Sequence, residues 1–239
     1  MTSQNLSEAQ VPQPKGRKVY PFYFVVDESG SMTGAPIDAV NRSVQMLYKK
    51  MTANPVQSGQ LHVSFIGFNE VATEIMPLAD FSSVSGAPQF EAQGGTRFGE
   101  VFDLLSQAIP RDLNALESMG FRFSRPIVFF ITDGNPQDDG VWQSAYKKLT
   151  DVNFRFHPKV VSFGVGEVLE TTLREVATST AYVRNNNEHV EPASVLSEIF
   201  TKMSNTMTAT LDPNRTSDAV PLPPVQGMDQ KPALDVGDI

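Results

Sequence analysis

Between Tyr20 and Val26 the chain runs Tyr-Pro-Phe-Tyr-Phe-Val-Val, apolar almost without interruption. A strand covered on one face alternates apolar and polar positions, whereas a central strand of a parallel sheet does not. Residues 19–27 are therefore read as a strand buried on both sides. From Pro36 to Met51 the pattern changes. Ile37, Val40, Val44, Leu47, Tyr48 and Met51 recur in steps of three and four, which predicts an amphipathic helix with Pro36 in its first turn. A second strand is expected over 60–68, and Asn69-Glu70 then turns the chain into a shorter strand at 71–76, antiparallel and at an edge.

The same reading carries on to the end of the chain. Phe98, Val101, Phe102 and Leu105 predict a helix starting near Thr96, while 110–124 read as irregular and exposed. Residues 126–133 form the most apolar strand. A helix at 141–150, a strand at 159–165, a helix at 169–178, a short strand at 181–184 and a helix from 192 to about 207 follow. Strands alternating with helices imply crossover connections. The expected fold is α/β: a doubly wound, mainly parallel central sheet with one short antiparallel edge strand and helices on both faces. Residues 1–17 and 212–239 lack apolar periodicity, and the latter is acidic and rich in proline, so they are read as disordered segments flanking a domain at 18–211.

Composition narrows the function classes. A chain of 239 residues with 40% hydrophobic and 19% charged positions can bury a full core. A net charge of −8 and a pI near 4.9 argue against nucleic acid or an anionic membrane as partner and suit attraction of cations. No apolar run is long enough to span a bilayer, and Met1–Lys18 contains no apolar signal region, which favours the cytoplasm. With no cysteine, disulfides, thiolate metal sites and cysteine nucleophiles are excluded.

The chemistry concentrates where strands end. Asp27-Glu28-Ser29-Gly30-Ser31-Met32 follows the first strand at once, Gly94-Gly95-Thr96 precedes a helix, and Thr132-Asp133-Gly134 closes the most apolar strand. In an open parallel sheet, ligands bind beyond the carboxyl ends of the strands, where strand order reverses. If the first and fourth long strands are neighbours, Asp27 and Asp133 face one crevice. Ser29, Ser31 and Thr96 then add neutral hydroxyls, a hard oxygen set suited to Mg²⁺ or Mn²⁺. Gly30, Gly95 and Gly134 are expected to allow the sharp turns. Glu28, Met32 and Asn135 are expected at the rim. Each piece alone reads as an ordinary turn, strand end or helix cap, with Thr96 as N-cap. Their joint occurrence in this order is what points to a site.

The set resembles the von Willebrand factor A domain and its metal-ion-dependent adhesion site. That family's Asp-x-Ser-x-Ser falls on Asp27, Ser29 and Ser31, its threonine on Thr96 and its aspartate on Asp133. The resemblance spans about 18–209. It implies a divalent cation that captures an acidic side chain of a partner protein, without catalysis. Residues 23–32, 34–37, 40–41, 68–69, 76–78 and 133–138 are in addition similar to bacterial TerY-type proteins of tellurium-resistance clusters. That likeness implies a cytoplasmic stress-response adaptor with a kinase and a PP2C-type phosphatase as partners. The competing readings are a metal-dependent phosphoryl-transfer or hydrolytic enzyme and a self-assembling structural component. Ser29 stands where a phosphotransferase of the haloacid-dehalogenase type needs a second carboxylate. A serine hydrolase needs a histidine beside Ser29 or Ser31, and His62, His157 and His189 are expected elsewhere. Gly164-Val165-Gly166 lacks the rest of a dinucleotide fingerprint. Trp142 could anchor a partner at the rim or pack its helix.

Overall fold

The computed structural model describes residues 16–53, 59–138, 140–185, 190–212 and 222–234. Most of the two flanking segments, 1–15, 213–221 and 235–239, and His189 lie outside the described residues. Strand β1 (Lys18–Asp27) leads through a 3-10 turn at Gly30–Met32 into α1 (Ala35–Thr52). Then come β2 (Leu61–Phe68), β3 (Ala72–Asp80), α2 (Phe98–Ser118), the two-residue β4 (Arg122–Phe123) and β5 (Ile127–Thr132). The chain continues through α3 (Trp142–Thr150), β6 (Lys159–Gly164), α4 (Glu170–Val176), β7 (Thr180–Arg184), α5 (Pro192–Ala209) and β8 (Met228–Pro232).

The sheet runs β3-β2-β1-β5-β6-β7-β8, with β4 pairing the foot of β1. From β1 to β7 the pairs are parallel. The antiparallel partner of β2 is β3, the edge expected from the turn at Asn69-Glu70. Strand β1 lies between β2 and β5, so the chain first winds one way and then the other, and order reverses between β1 and β5. The residues of β1 divide between the two faces. Phe22, Phe24 and Val26 pack under α1 and α5, whereas Tyr23 and Val25 pack under α2 and α3 with Phe130 and Trp142. Cores on both faces explain the uninterrupted apolar run in the sequence.

One expectation is corrected here. Helix α2 does not stop near residue 110 but continues through Pro110 to Ser118. A proline inside a helix removes one hydrogen bond and costs about 3 kcal/mol. Leu113 and Leu116 extend the buried stripe of Phe102, Leu105 and Ile109 past that position, and burying each is worth roughly 1.5–3 kcal/mol. Tertiary packing therefore outweighs the local break. Asp112 adds a second anchor, accepting a hydrogen bond from the buried Tyr23 hydroxyl at 3.1 Å and two from Arg111.

The segment after residue 212 also departs from expectation. Residues 222–234 do not form a tail. Strand β8 pairs antiparallel with β7 from Thr180–Pro232 to Arg184–Met228 and closes the far edge of the sheet. Val225 and Met228 enter the α1/α5 core, and the Tyr182 hydroxyl donates to the Leu222 carbonyl at 3.0 Å. Pro232, which ends β8, is tolerated because an edge strand need not donate on its outer side.

Candidate metal centre

Asp27 ends β1 and is fully buried. Its Oδ1 accepts from the Ser29 amide at 2.7 Å, and its Oδ2 accepts from the Thr132 hydroxyl at 2.6 Å. Ser29, also buried, shares a hydrogen bond with Ser31 at 3.1 Å between the two hydroxyls. Ser31 in turn donates to Asp133 Oδ1 at 2.7 Å. A continuous chain of oxygens thus crosses the point where strand order reverses and joins the loops after β1 and β5. Burial raises the Asp27 carboxyl from 3.8 to about 6, against the lowering effect of its bonds from Ser29 and Thr132; nearby Asp133 pushes the same way as burial. Burial also raises Asp133, and its bond from Ser31 opposes this. Both carboxylates are short of compensating positive charge.

The loop carrying Thr96 is locked to the other two. The Gly30 amide donates to the Gly94 carbonyl at 2.9 Å, and the Gln137 amide to the Thr96 carbonyl at 2.8 Å. Thr96 is 95% buried, and its hydroxyl stands 3.8 Å from where a Cβ on Gly134 would lie. It does not cap α2. The N-cap position is Arg97, and the cap is supplied from the next loop: Asp138 accepts from the Phe98 amide at 3.1 Å and the Gly99 amide at 2.8 Å. The Thr96 hydroxyl is engaged by no hydrogen bond among the described residues and is left over for another partner.

Asp27, Ser29, Ser31 and Asp133 are thus linked directly, and Thr96 joins them through its backbone. The set presents two carboxylates and three hydroxyls. Among the described residues no three His, Asp or Glu side chains converge. The donors are all hard oxygens of low total charge, which fits Mg²⁺ or Mn²⁺ and leaves room for water or an incoming anion.

The rim differs from expectation. Met32 is fully buried in the α1/α5 core, because the 3-10 turn points it inward. Glu28 folds back over Gly67, whose missing side chain makes room for the carboxylate, and accepts from the Glu91 amide at 2.9 Å. With the Gln93 amide on the Glu28 carbonyl, it braces the loop that carries Thr96. Asn135 is exposed. Its amide bridges to the loop after β6, donating to the Glu167 carbonyl at 3.2 Å and accepting from the Leu169 amide at 2.9 Å. Trp142 is core, in edge contact with Phe98.

The glycines also serve differently. The turns with positive φ fall at Gly34 and Gly94, not at Gly30, Gly95 or Gly134. Gly95 instead leaves space for the Gln137 amide group. Gly166 allows a close pass over the Asp133 main chain. Sequence reasoning missed Thr132 and Asp138. The signal for Asp138 was present: Arg97 is a poor N-cap, so the helix needed an acceptor from elsewhere.

The family profile described as von Willebrand factor type A domain matches residues 22–202. Among solved structures, a von Willebrand factor type A protein from Catenulispora acidiphila is similar with a TM-score of 0.57 at 15% identity, covering 80% of this chain and 43% of that one. The pilus adhesin SpaC from Lactobacillus rhamnosus GG is similar with a TM-score of 0.59 at 14% identity, covering 83% of this chain and 32% of that one. Proximal thread matrix protein 1 from the mussel byssus gives 0.50 at 16% identity, covering 91% and 48% respectively. The chain thus spans less than half the length of each of these proteins, and at such identities the likeness speaks to the fold alone. With the profile matching most of its length, the chain belongs to the von Willebrand factor type A domain family.

Proposed function

We propose that this chain is a non-catalytic protein-binding module. Asp27, Ser29, Ser31, Thr96 and Asp133 hold a divalent cation, Mg²⁺ or Mn²⁺, through which an acidic side chain of a partner is captured. The observation that carries this reading is the oxygen chain Ser29–Ser31–Asp133, set beside the hydroxyl of a largely buried Thr96 that helix capping leaves unused. When bound, the ion supplies an electrophilic centre for a carboxylate. Thr132 and the Ser29 amide fix both oxygens of Asp27, so the ligand set is arranged before the ion arrives.

An enzymatic reading finds little support in the surroundings. His62 sits near the amino end of β2 against Phe121, and the His157 ring bonds the Phe154 carbonyl just before β6, again at the amino end of the sheet. Neither can serve as a general base at the crevice. The resemblance of residues 23–32 and 133–138 to TerY-type proteins supports a cytoplasmic adaptor in a bacterial stress-response system with a kinase and a PP2C-type phosphatase.

Electron paramagnetic resonance of Mn²⁺ titrated into the protein tests the centre. One Mn²⁺ per chain, displaced by Mg²⁺ and lost in Asp133→Ala, is expected. Free Mn²⁺ throughout a millimolar titration would sink the reading. Affinity capture in Mg²⁺ against EDTA tests the partners: a kinase or phosphatase retained only with Mg²⁺ is expected.

A further inference from the structure

The surface around the crevice carries a charge pattern that the capture of a carboxylate does not explain. Asp27 and Asp133 together cancel the charge of a divalent ion, and the three hydroxyls add none. An incoming carboxylate therefore meets a centre with no net charge, inside a rim that has its own. On one side the exposed Glu70 lies along Gly94-Gly95, its side-chain carbons 3.5–3.6 Å from where their Cβ atoms would be. On the other side the exposed Glu167 donates its amide to the Asp133 carbonyl at 3.0 Å. Glu91, also exposed, follows the Glu28 brace. Against these three carboxylates stands one exposed cation of the same loops, Arg97. Beside Glu167, Leu169 is 59% exposed, held by Asn135.

A purely acidic segment would be repelled by such a rim even while the ion accepted one of its oxygens. Resting on the cation-centred reading above, we infer that the crevice selects a partner segment whose coordinating carboxylate is flanked by Lys or Arg, with an apolar neighbour that covers Leu169. The carboxylate reaches the ion, while the flanking cations pair with Glu70 and Glu167. Thr96, 95% buried and with its hydroxyl in no hydrogen bond among the described residues, marks the centre of this surface, and the two carboxylates bracket it from the loops after β2 and β6.

Three fluorescently labelled peptides, each with one aspartate next to a leucine, test the inference. Their remaining flanks are lysine, serine or glutamate. Anisotropy is read with the full chain in Mg²⁺ and in EDTA, at low and at physiological salt. In Mg²⁺ the lysine-flanked peptide should bind at least tenfold tighter than the glutamate-flanked one, with serine between. The preference should shrink as salt screens the rim. In a Glu70→Lys/Glu167→Lys variant, shown by its melt to be folded, the order should invert. Equal, Mg²⁺-dependent binding of all three peptides overturns the rim inference and leaves the adhesion reading intact. Equal binding of the lysine peptide in Mg²⁺ and EDTA also overturns it, as mere adsorption to negative charge. Absence of Mg²⁺-dependent binding to any peptide overturns both.

Discussion

Asp27→Asn should stabilise the metal-free protein and remove its response to Mg²⁺. The substitution keeps the shape of the side chain and deletes its charge. Its hydrogen bonds survive: the Asn oxygen can still accept from the Ser29 amide, and its NH₂ can donate to Thr132, whose hydroxyl turns its proton to the Gly134 carbonyl 3.0 Å away. What is lost is the cost of a buried anion. Because Asp27 titrates at about 6 in the fold and at 3.8 ordinarily, the folded protein holds this proton more tightly than the unfolded chain. Its contribution is therefore full below 3.8 and is lost as pH rises through 6. At ~1.36 kcal/mol for each tenfold change, the loss comes to about 3 kcal/mol at pH 7.5. The neutral Asn does not suffer it, so in EDTA at pH 7.5 the variant should melt roughly 5–10 °C higher. At pH 5, where folded Asp27 is mostly protonated, the advantage should fall to about 1.5 kcal/mol. Mg²⁺ at a hundredfold excess over its Kd should raise the wild type by about 2.7 kcal/mol and leave the variant unmoved. Urea denaturation of both proteins in EDTA and in Mg²⁺, at pH 7.5 and pH 5, measures every term. A variant less stable than wild type in EDTA would refute the electrostatic account. An equal Mg²⁺ response in the two proteins would refute Asp27 as a ligand.

Three further outcomes follow from the packing. Asp138→Ala should cost about 1–2 kcal/mol by uncapping α2 and should also weaken Mn²⁺ binding through the Thr96 loop; unchanged urea midpoint and Mn²⁺ affinity would count against the cap. Ending the chain at residue 212 should lower stability by about 3 kcal/mol or more, since Val225 and Met228 leave the core; an unshifted melt would show β8 to be dispensable. His62 is buried with Nδ1 unpartnered among the described residues, and burial lowers its pKa from the usual 6.5. Its contribution is full above 6.5 and lost as pH falls through the folded value, so His62→Gln should flatten the acid side of the stability profile; parallel profiles for the two proteins would exclude it.

The order of elements, the switch point and the positions of Asp27 and Asp133 could be read from sequence because each depends on local pattern: an apolar run that stops, followed by small polar residues. The misreadings share a cause in long-range contact. Pro110 breaks a helix locally, but Leu113 and Leu116 find the core through the sheet. Residues 228–232, Met-Asp-Gln-Lys-Pro, have no strand periodicity, and only the open edge of β7 gives them a ladder to join. Met32 reads as a loop residue because nothing in its neighbours reveals that the turn after Gly30 aims it inward. Thr96 carries the usual mark of an N-cap, and only the arrival of Asp138 from a loop 40 residues away releases it.

The direction of β8 bears on how the domain can be tethered. Strand β1 rises from Lys18 to Asp27, about 30 Å at ~3.3 Å per residue. Strand β8 descends, antiparallel to β7, from Met228 beside Arg184 to Pro232 beside Thr180. The polypeptide therefore enters at the base of the sheet and is heading back toward that base at Pro232. Lys18, where β1 begins, and Pro232, where β8 ends, therefore both lie at the end of the sheet opposite the crevice. Such a geometry suits presentation: one end of the molecule can be anchored while the other remains open to whatever approaches.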